Sequence, residues 1–352
     1  MQPLSNLIAE GERLMVICNA CRYCEGYCAV FPAMERRLSF TEADINYLAN
    51  LCHNCAECYY SCQYAPPHEF AVNVPKVFAE IRARSYEKYA WPRFLRINAW
   101  WAVAGGLVVA ALLAGTGPVA GADFYAVISH EAMVATFGVV TAFVVVAGVA
   151  GFLRFWRESG EGLARFFQLS TQIQGARDAL SLKNLKSSGV GCTYPDEQHS
   201  QARRLFHHFT FYGFLLCLAS TSVAAVYHSV FELQAPYAYF SVPVVLGTLG
   251  GIGLLIGPLG LYRLKLRRDP AIVDLKQDSM DISFLALLFL TSLTGLLLLG
   301  LRETAAMGAL LRIHLGVVLG LLLTLPYGKF VHGIYRLAAL VRSALETSRG
   351  QH

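Results

Sequence analysis

The sequence predicts an all-α protein in two parts, a small helical domain that folds in water over residues 1–96 and a bundle of six membrane-spanning helices over 97–352. Three observations carry this reading. Of the 352 residues, 55% are hydrophobic and 15% charged, and the mean hydropathy is +0.45, outside the range of soluble domains. The apolar residues are unevenly spread, because 1–96 contains no run long enough to cross a bilayer, whereas windows of about 20 apolar residues recur after it. Eight of the ten cysteines fall in two runs within the first part, CNACRYCEGYC and CHNCAECYYSC.

The opening MQPLSNLIAEGERL has glutamates where a secretory signal needs a basic start and an apolar core, so the N-terminus is expected to stay in the cytoplasm. Thiols there face a reducing pool, which favours metal ligation over disulfides. Between the cysteine runs, FPAMERRLSFTEADINYLANL reads as a helix with Ser39 and Glu42 as a capping box ahead of Ile45, Leu48 and Leu51. KVFAEIRARSYEKYAWPRF has helical spacing and many basic residues, and reads as a juxtamembrane helix against anionic headgroups.

Six spans are expected near 98–118, 131–153, 207–229, 238–261, 282–301 and 309–330. The connecting loop 154–206 carries eight Lys or Arg residues, among them Arg154, Arg203 and Arg204, and 262–281 carries Arg263, Lys265, Arg267, Arg268 and Lys276. Both loops are therefore expected in the cytoplasm, and six spans return the C-terminus there too, giving a multi-pass protein of the cytoplasmic (inner) membrane. The net charge of +5 follows from this topology and lipid contact, with no nucleic acid as partner. No nucleotide-binding glycine loop after a strand and no nucleophile motif is present, so the chain reads as an electron-transfer component without its own organic substrate.

Both cysteine runs are CxxCxxCxxxC: Cys18, Cys21, Cys24, Cys28 and Pro32 recur as Cys52, Cys55, Cys58, Cys62 and Pro66. Three thiolates two residues apart wrap three iron corners of a cubane, and a more distant fourth closes it, so two [4Fe-4S] clusters are expected. Zinc and disulfides are the competing readings, but a zinc site of two separated pairs has no use for the third close cysteine. In bacterial two-cluster ferredoxins the fourth cysteine of each run ligates the other cluster. Carried over, that pattern gives one cluster to Cys18, Cys21, Cys24 and Cys62, and the other to Cys52, Cys55, Cys58 and Cys28. The proline follows four residues late and a helix joins the runs. The domain therefore resembles the α-helical ferredoxins of succinate dehydrogenase iron–sulfur subunits and heterodisulfide reductases. Cys192 and Cys217 read as ordinary loop and buried cysteines.

Histidines within spans are candidates for function, because ionisable groups there are costly. His314 and His332 are 18 residues apart, a whole number of turns, so both are expected on one face of the sixth span with a rise of about 27 Å between them. In the third span His207 and His228 lie within about 60° of one face, with His208 the alternative to His207. Antiparallel spans would pair His207 with His332 near the cytoplasm and His228 with His314 near the outside. Paired imidazoles fit b-type haem, one or two, with Gly213, Gly316 and Gly320 leaving room for the porphyrin. Ordinary interfacial histidines are the competing reading, and they also cover His130 beside Glu131, which could otherwise serve a quinone's protons.

The tandem cysteine runs, the WPRF junction, FHHFTFYGFLLC and GCTYPDE resemble the tricarballylate-utilization protein B family, also called citrate-utilization protein B, along nearly the whole chain. The segment IHLGVVLGLLLTLPYGKFVHG is more distantly similar to the haem-binding helix of the nitrate reductase gamma subunit. The resemblance implies a membrane partner that reoxidises the reduced FAD of a cytoplasmic tricarballylate dehydrogenase, passing electrons to the quinone pool. The loop from Gly191 to Pro195 is expected to share a docking face with the cysteine domain, the competing reading being a loop merely folded over that domain. Two other readings stay open: a quinol-oxidising subunit feeding a cytoplasmic reductase, and a redox-sensing iron–sulfur membrane protein.

Overall fold

The computed structural model describes residues 4–95, 97–113, 123–186, 189 and 191–350. The cysteine domain consists of α1 (Leu4–Cys21), α2 (Val30–Glu35), α3 (Glu42–Leu51), α4 (Glu57–Tyr60) and α5 (Val74–Tyr89). Leu14, Met15, Phe31, Met34, Ile45, Leu48, Phe78 and Ile81 form its buried core, where α1 and α3 pack on α5. Gly11 permits this approach, since a Cβ there would meet Ile45 at 2.9 Å and Ile81 at 3.0 Å. The cap of α3 falls two residues later than the sequence suggested. Thr41 accepts from the Asp44 backbone and Asp44 bonds back to the Thr41 N–H, so Thr41 and Asp44 form the capping box in place of Ser39 and Glu42.

Helix α5 is not a lipid-facing helix. Its residues Phe78, Ile81, Arg82, Tyr86 and Tyr89 make one buried stripe against protein, and Lys88 is held between Glu42 and Glu158, each at 2.7 Å.

The remaining helices are α6 (Ala99–Leu113), α7 (His130–Glu158), α8 (Leu163–Phe166), α9 (Leu169–Leu180), α10 (Ala202–Phe231), α11 (Val242–Arg267), α12 (Leu275–Leu301), α13 (Met307–Thr324) and α14 (Val331–Arg349). A two-residue antiparallel ladder, β1 (Cys192–Thr193) with β2 (His199–Ser200), interrupts the helical pattern before α10. Among the described residues five helices, α7, α10, α11, α12 and α13, are long and apolar enough to cross a membrane. Helix α6 is apolar but shorter, and the end of the first expected span, 114–118, lies outside the described residues.

Glycines set the bundle's close contacts. A Cβ at Gly213 of α10 would meet the Gly250 carbonyl of α11 at 2.9 Å, and one at Gly316 or Gly320 of α13 would strike Leu107 or Val103 of α6 at 2.7 Å. The space expected for a porphyrin at these three glycines is therefore filled by neighbouring helices.

The sixth expected span is broken. Helix α13 ends at Thr324, whose carbonyl accepts from Tyr327 and Gly328, and α14 starts at Val331. Pro326 explains the break, because it has no N–H to continue the ladder. Instead of trailing into solvent, α14 packs on α3, α7 and α9. Glu346 of α14 meets Arg37 at 2.5 Å and Arg342 at 3.2 Å, and Arg342 lies over the ring of Tyr47 at 4.1 Å. The C-terminal helix is thus built into the cysteine domain.

Candidate metal centre

The first cysteine run begins on the last turn of α1. Cys18 and Cys21 are helical, Arg22 turns the chain with φ 57°, and Cys24 follows in the turn. In the second run, left-handed conformations at Asn54 (φ 54°) and Ala56 (φ 67°) curl the backbone so that Cys52, Cys55 and Cys58 face one hollow. Positive φ at non-glycine residues is costly, and such strain concentrates where a site demands it.

The cysteines gather across the two runs. A cavity of about 290 Å³ is lined by Cys18, Cys21, Cys24 and Cys62, with Tyr23 and Tyr64 on its rim. A second, tighter hollow is lined by Cys28, Cys52, Cys55 and Cys58, together with His53. Cys58 also borders the first cavity, so the two hollows share a wall. Among the described residues no three His, Cys, Asp or Glu side chains converge closely enough to hold a single metal ion. The sulfurs are instead spread around two cavities, as a multi-iron cluster needs. Burial, reinforced by neighbouring thiols, pushes Cys18, Cys24 and Cys28 up to about 12. Thiolates at these positions require a strongly positive partner, which iron supplies.

Three arginines from three helices secure the second hollow. Arg82 of α5 donates to the carbonyls of Ala49 at 3.0 Å and Cys52 at 3.1 Å. Arg203 of α10 donates to Asn54 at 2.6 Å and His53 at 2.9 Å, and Arg336 of α14 donates to Asn50 at 3.3 Å and Cys52 at 2.7 Å. The charge pattern of the loops marked Arg203 only as a topology signal. A usable signal was present, since Arg203 stands one turn before His207 and Arg336 one turn after His332.

The GCTYPDE loop roofs this hollow. Cys192 and Tyr194 are 1% and 4% exposed and pack with Cys55, Ala56 and Leu185. Residues Gly191 to Pro195 are buried, which overturns their expected place on an exposed docking face.

Of the candidate histidines, His207 and His332 are brought together, with ring centroids 6.3 Å apart. His332 Nδ1 donates to the Lys329 carbonyl at 2.6 Å, which leaves Nε2 for a ligand. His207 Nδ1 is buried with no hydrogen-bond partner among the described residues. His208 turns toward Tyr212 instead, at 5.6 Å. The outer pair does not form. His228 stacks on His130 with centroids 3.7 Å apart, beside Tyr125, while His314 shares a 3.0 Å hydrogen bond with Thr294 of α12. Helix α13 lies between α12 and α6, whereas α10 packs mainly on α11, so His314 and His228 are held apart. The shared-face argument for His314 and His332 also lapses, because they belong to different helices.

A helical domain with a duplicated four-cysteine run, joined to helices long and apolar enough to cross a membrane, is compatible with an iron–sulfur protein of the membrane. Residues 11–88 match the family described as Citrate utilization protein B Fer4-like domain, and residues 100–352 match Citrate utilization protein B. The chain is 51% identical to "Citrate utilization protein B" of Escherichia coli over 358 positions, covering 97% of this chain and 93% of that protein. It belongs to the citrate utilization protein B family. No solved structure matches it.

Proposed function

We propose that the chain is a membrane electron carrier that reoxidises the reduced FAD of a cytoplasmic dehydrogenase of citrate or tricarballylate utilization. The observation that carries this reading is the graded placement of donor groups, from a partly open cysteine cavity, through a roofed one, to the paired His207 and His332. Cys18, Cys21, Cys24 and Cys62 would hold one [4Fe-4S] cluster, and Cys28, Cys52, Cys55 and Cys58 the other. His207 and His332 would hold one b haem. The spacing suits that role: with metal–nitrogen bonds of about 2 Å and about 1 Å from nitrogen to ring centre, two imidazoles on one iron lie about 6 Å apart. When bound, these groups pass single electrons from flavin toward membrane quinone.

The residues around them orient and shield. The roof formed by Cys192 and Tyr194 covers the second cavity at Cys55. His53, walled in beside Cys52, is kept well below its ordinary pKa by burial and then by Arg336, so it stays neutral in a packed segment between the second cavity and the histidine pair. All four cysteines of the first set are partly exposed, against two of the second, and Tyr23 is 68% exposed at the rim, so the first cavity would be the side that meets a flavoprotein. Optical and electron-spin spectra of the purified full-length protein test the reading. Two reduced [4Fe-4S] signals and a reduced b-haem band are expected, and their absence after anaerobic purification and iron–sulfur reconstitution contradicts it.

A further inference from the structure

Six hydrogen bonds from Arg82, Arg203 and Arg336 converge on the carbonyls of residues 49, 50, 52, 53 and 54, the strand of chain that leads into the second cysteine hollow. Their partners are carbonyls and, for Arg203, the face of Tyr194 at 4.4 Å; among the described residues no carboxylate ion-pairs with any of the three. Three guanidinium groups thus converge on the backbone at Cys52 of one cysteine set. Arg82 is 1% exposed, so its charge acts through protein instead of water.

The first cavity lacks this surround. Neither cavity has a guanidinium or carboxylate in its lining, so the difference lies in the backbone behind it: at the first, Arg22 is exposed and spends its guanidinium on the Asn19 carbonyl. The negative charge of Glu57, buried between Cys55 and Cys58, is felt at Cys24 of the first set and also at Cys192, which packs on Cys55, so it opposes the added electron at both sites and offsets only part of the three arginine charges at the second. Positive charge near a cluster favours the added electron and negative charge opposes it. Water favours the electron at the first cavity, whose four cysteines are all partly exposed, and less so at the second, where Cys52 and Cys55 are buried and the backbone beside them meets three full charges.

We infer that Arg82, Arg203 and Arg336 hold the reduction potential of the Cys28, Cys52, Cys55 and Cys58 site above that of the Cys18, Cys21, Cys24 and Cys62 site, giving the chain an inward electron gradient. The inference rests on the electron-carrier reading and adds the direction of flow, which the cysteine spacing does not contain. It favours oxidation of a cytoplasmic donor over quinol-driven reduction of one.

The test is a redox titration of full-length detergent-purified protein followed by electron-spin resonance. In the native protein the signal of higher midpoint is expected to be the one perturbed by Cys28→Ser, and the lower one by Cys62→Ser. Arg203→Gln and Arg336→Gln are expected to lower the higher midpoint and leave the other in place, while Arg203→Lys and Arg336→Lys keep it near the native value. Unchanged midpoints in the glutamine variants, or a reversed native order, overturn the inference. If a glutamine variant loses its second cluster, the lysine variant decides: a retained midpoint supports the role of charge, and a fallen one overturns it. Native protein that takes up no clusters contradicts the electron-carrier reading itself.

Discussion

His207 and His332 face each other across 6.3 Å although they come from α10 and α14, helices separated in sequence by three others. Each sits one turn from an arginine, Arg203 or Arg336, that grips the backbone beside Cys52. The two helices therefore approach each other and the second cysteine hollow together. The histidine pair and the cysteine domain form one piece of architecture.

Replacing either member of this pair should abolish haem. His207→Ala and His332→Ala are expected to remove the reduced α-band from a reduced-minus-oxidised spectrum, whereas His208→Ala, His228→Ala and His314→Ala should keep it. A band that survives His332→Ala, or disappears in His314→Ala with the protein still folded, assigns the iron elsewhere.

The capping box makes a local prediction. Thr41→Ala removes the side chain that accepts from Asp44, at a typical cost of about 1 kcal/mol, and should lower the temperature at which the full-length protein loses its near-ultraviolet dichroism. Ser39→Ala should leave that temperature unchanged within error. Equal losses would return the cap to Ser39.

Acid should loosen the end of α14. Arg349 bonds Glu161 at 2.7 and 2.9 Å, and this contact holds the Glu161 carboxyl below its ordinary pKa. A depressed folded value means that the stabilisation is complete above the unfolded value of about 4.3 and is lost as pH falls through the lower folded one. Trypsin cleavage after acid treatment, sampled near the C-terminus, should rise below about pH 4 in the native protein. In Glu161→Gln the cleavage should already be raised at neutral pH and should change less with acid; identical pH profiles would remove Glu161 from the account.

The cysteine runs were legible because three of a cluster's four ligands are local and fall within seven residues of chain. The cross-run grouping, Cys62 with Cys18 and Cys28 with Cys52, is the one that the ferredoxin pattern predicts. The outer histidine pair was misread because helical phase says which way a side chain points and nothing about which helix stands opposite. Thr294 and His130 occupy the places that His228 and His314 were expected to take for each other. Pro326 was visible in the sequence as a break, but the apolar run around it hid the end of α13. Helix α5 was misassigned because its lysines and arginines outweighed the Phe78, Ile81 and Tyr86 stripe that packs it into the domain. The three arginines converge only after α5, α10 and α14 fold together, so no local pattern could display them as a group.

The central claim is that each cluster is shared between the two cysteine runs. Electron-spin spectra of Cys62→Ser and Cys28→Ser, set beside Cys18→Ser and Cys52→Ser, test it most directly. The account predicts that Cys62→Ser alters the same signal as Cys18→Ser, and that Cys28→Ser alters the same signal as Cys52→Ser. Pairing within runs, with Cys28→Ser matching Cys18→Ser and Cys62→Ser matching Cys52→Ser, would contradict it.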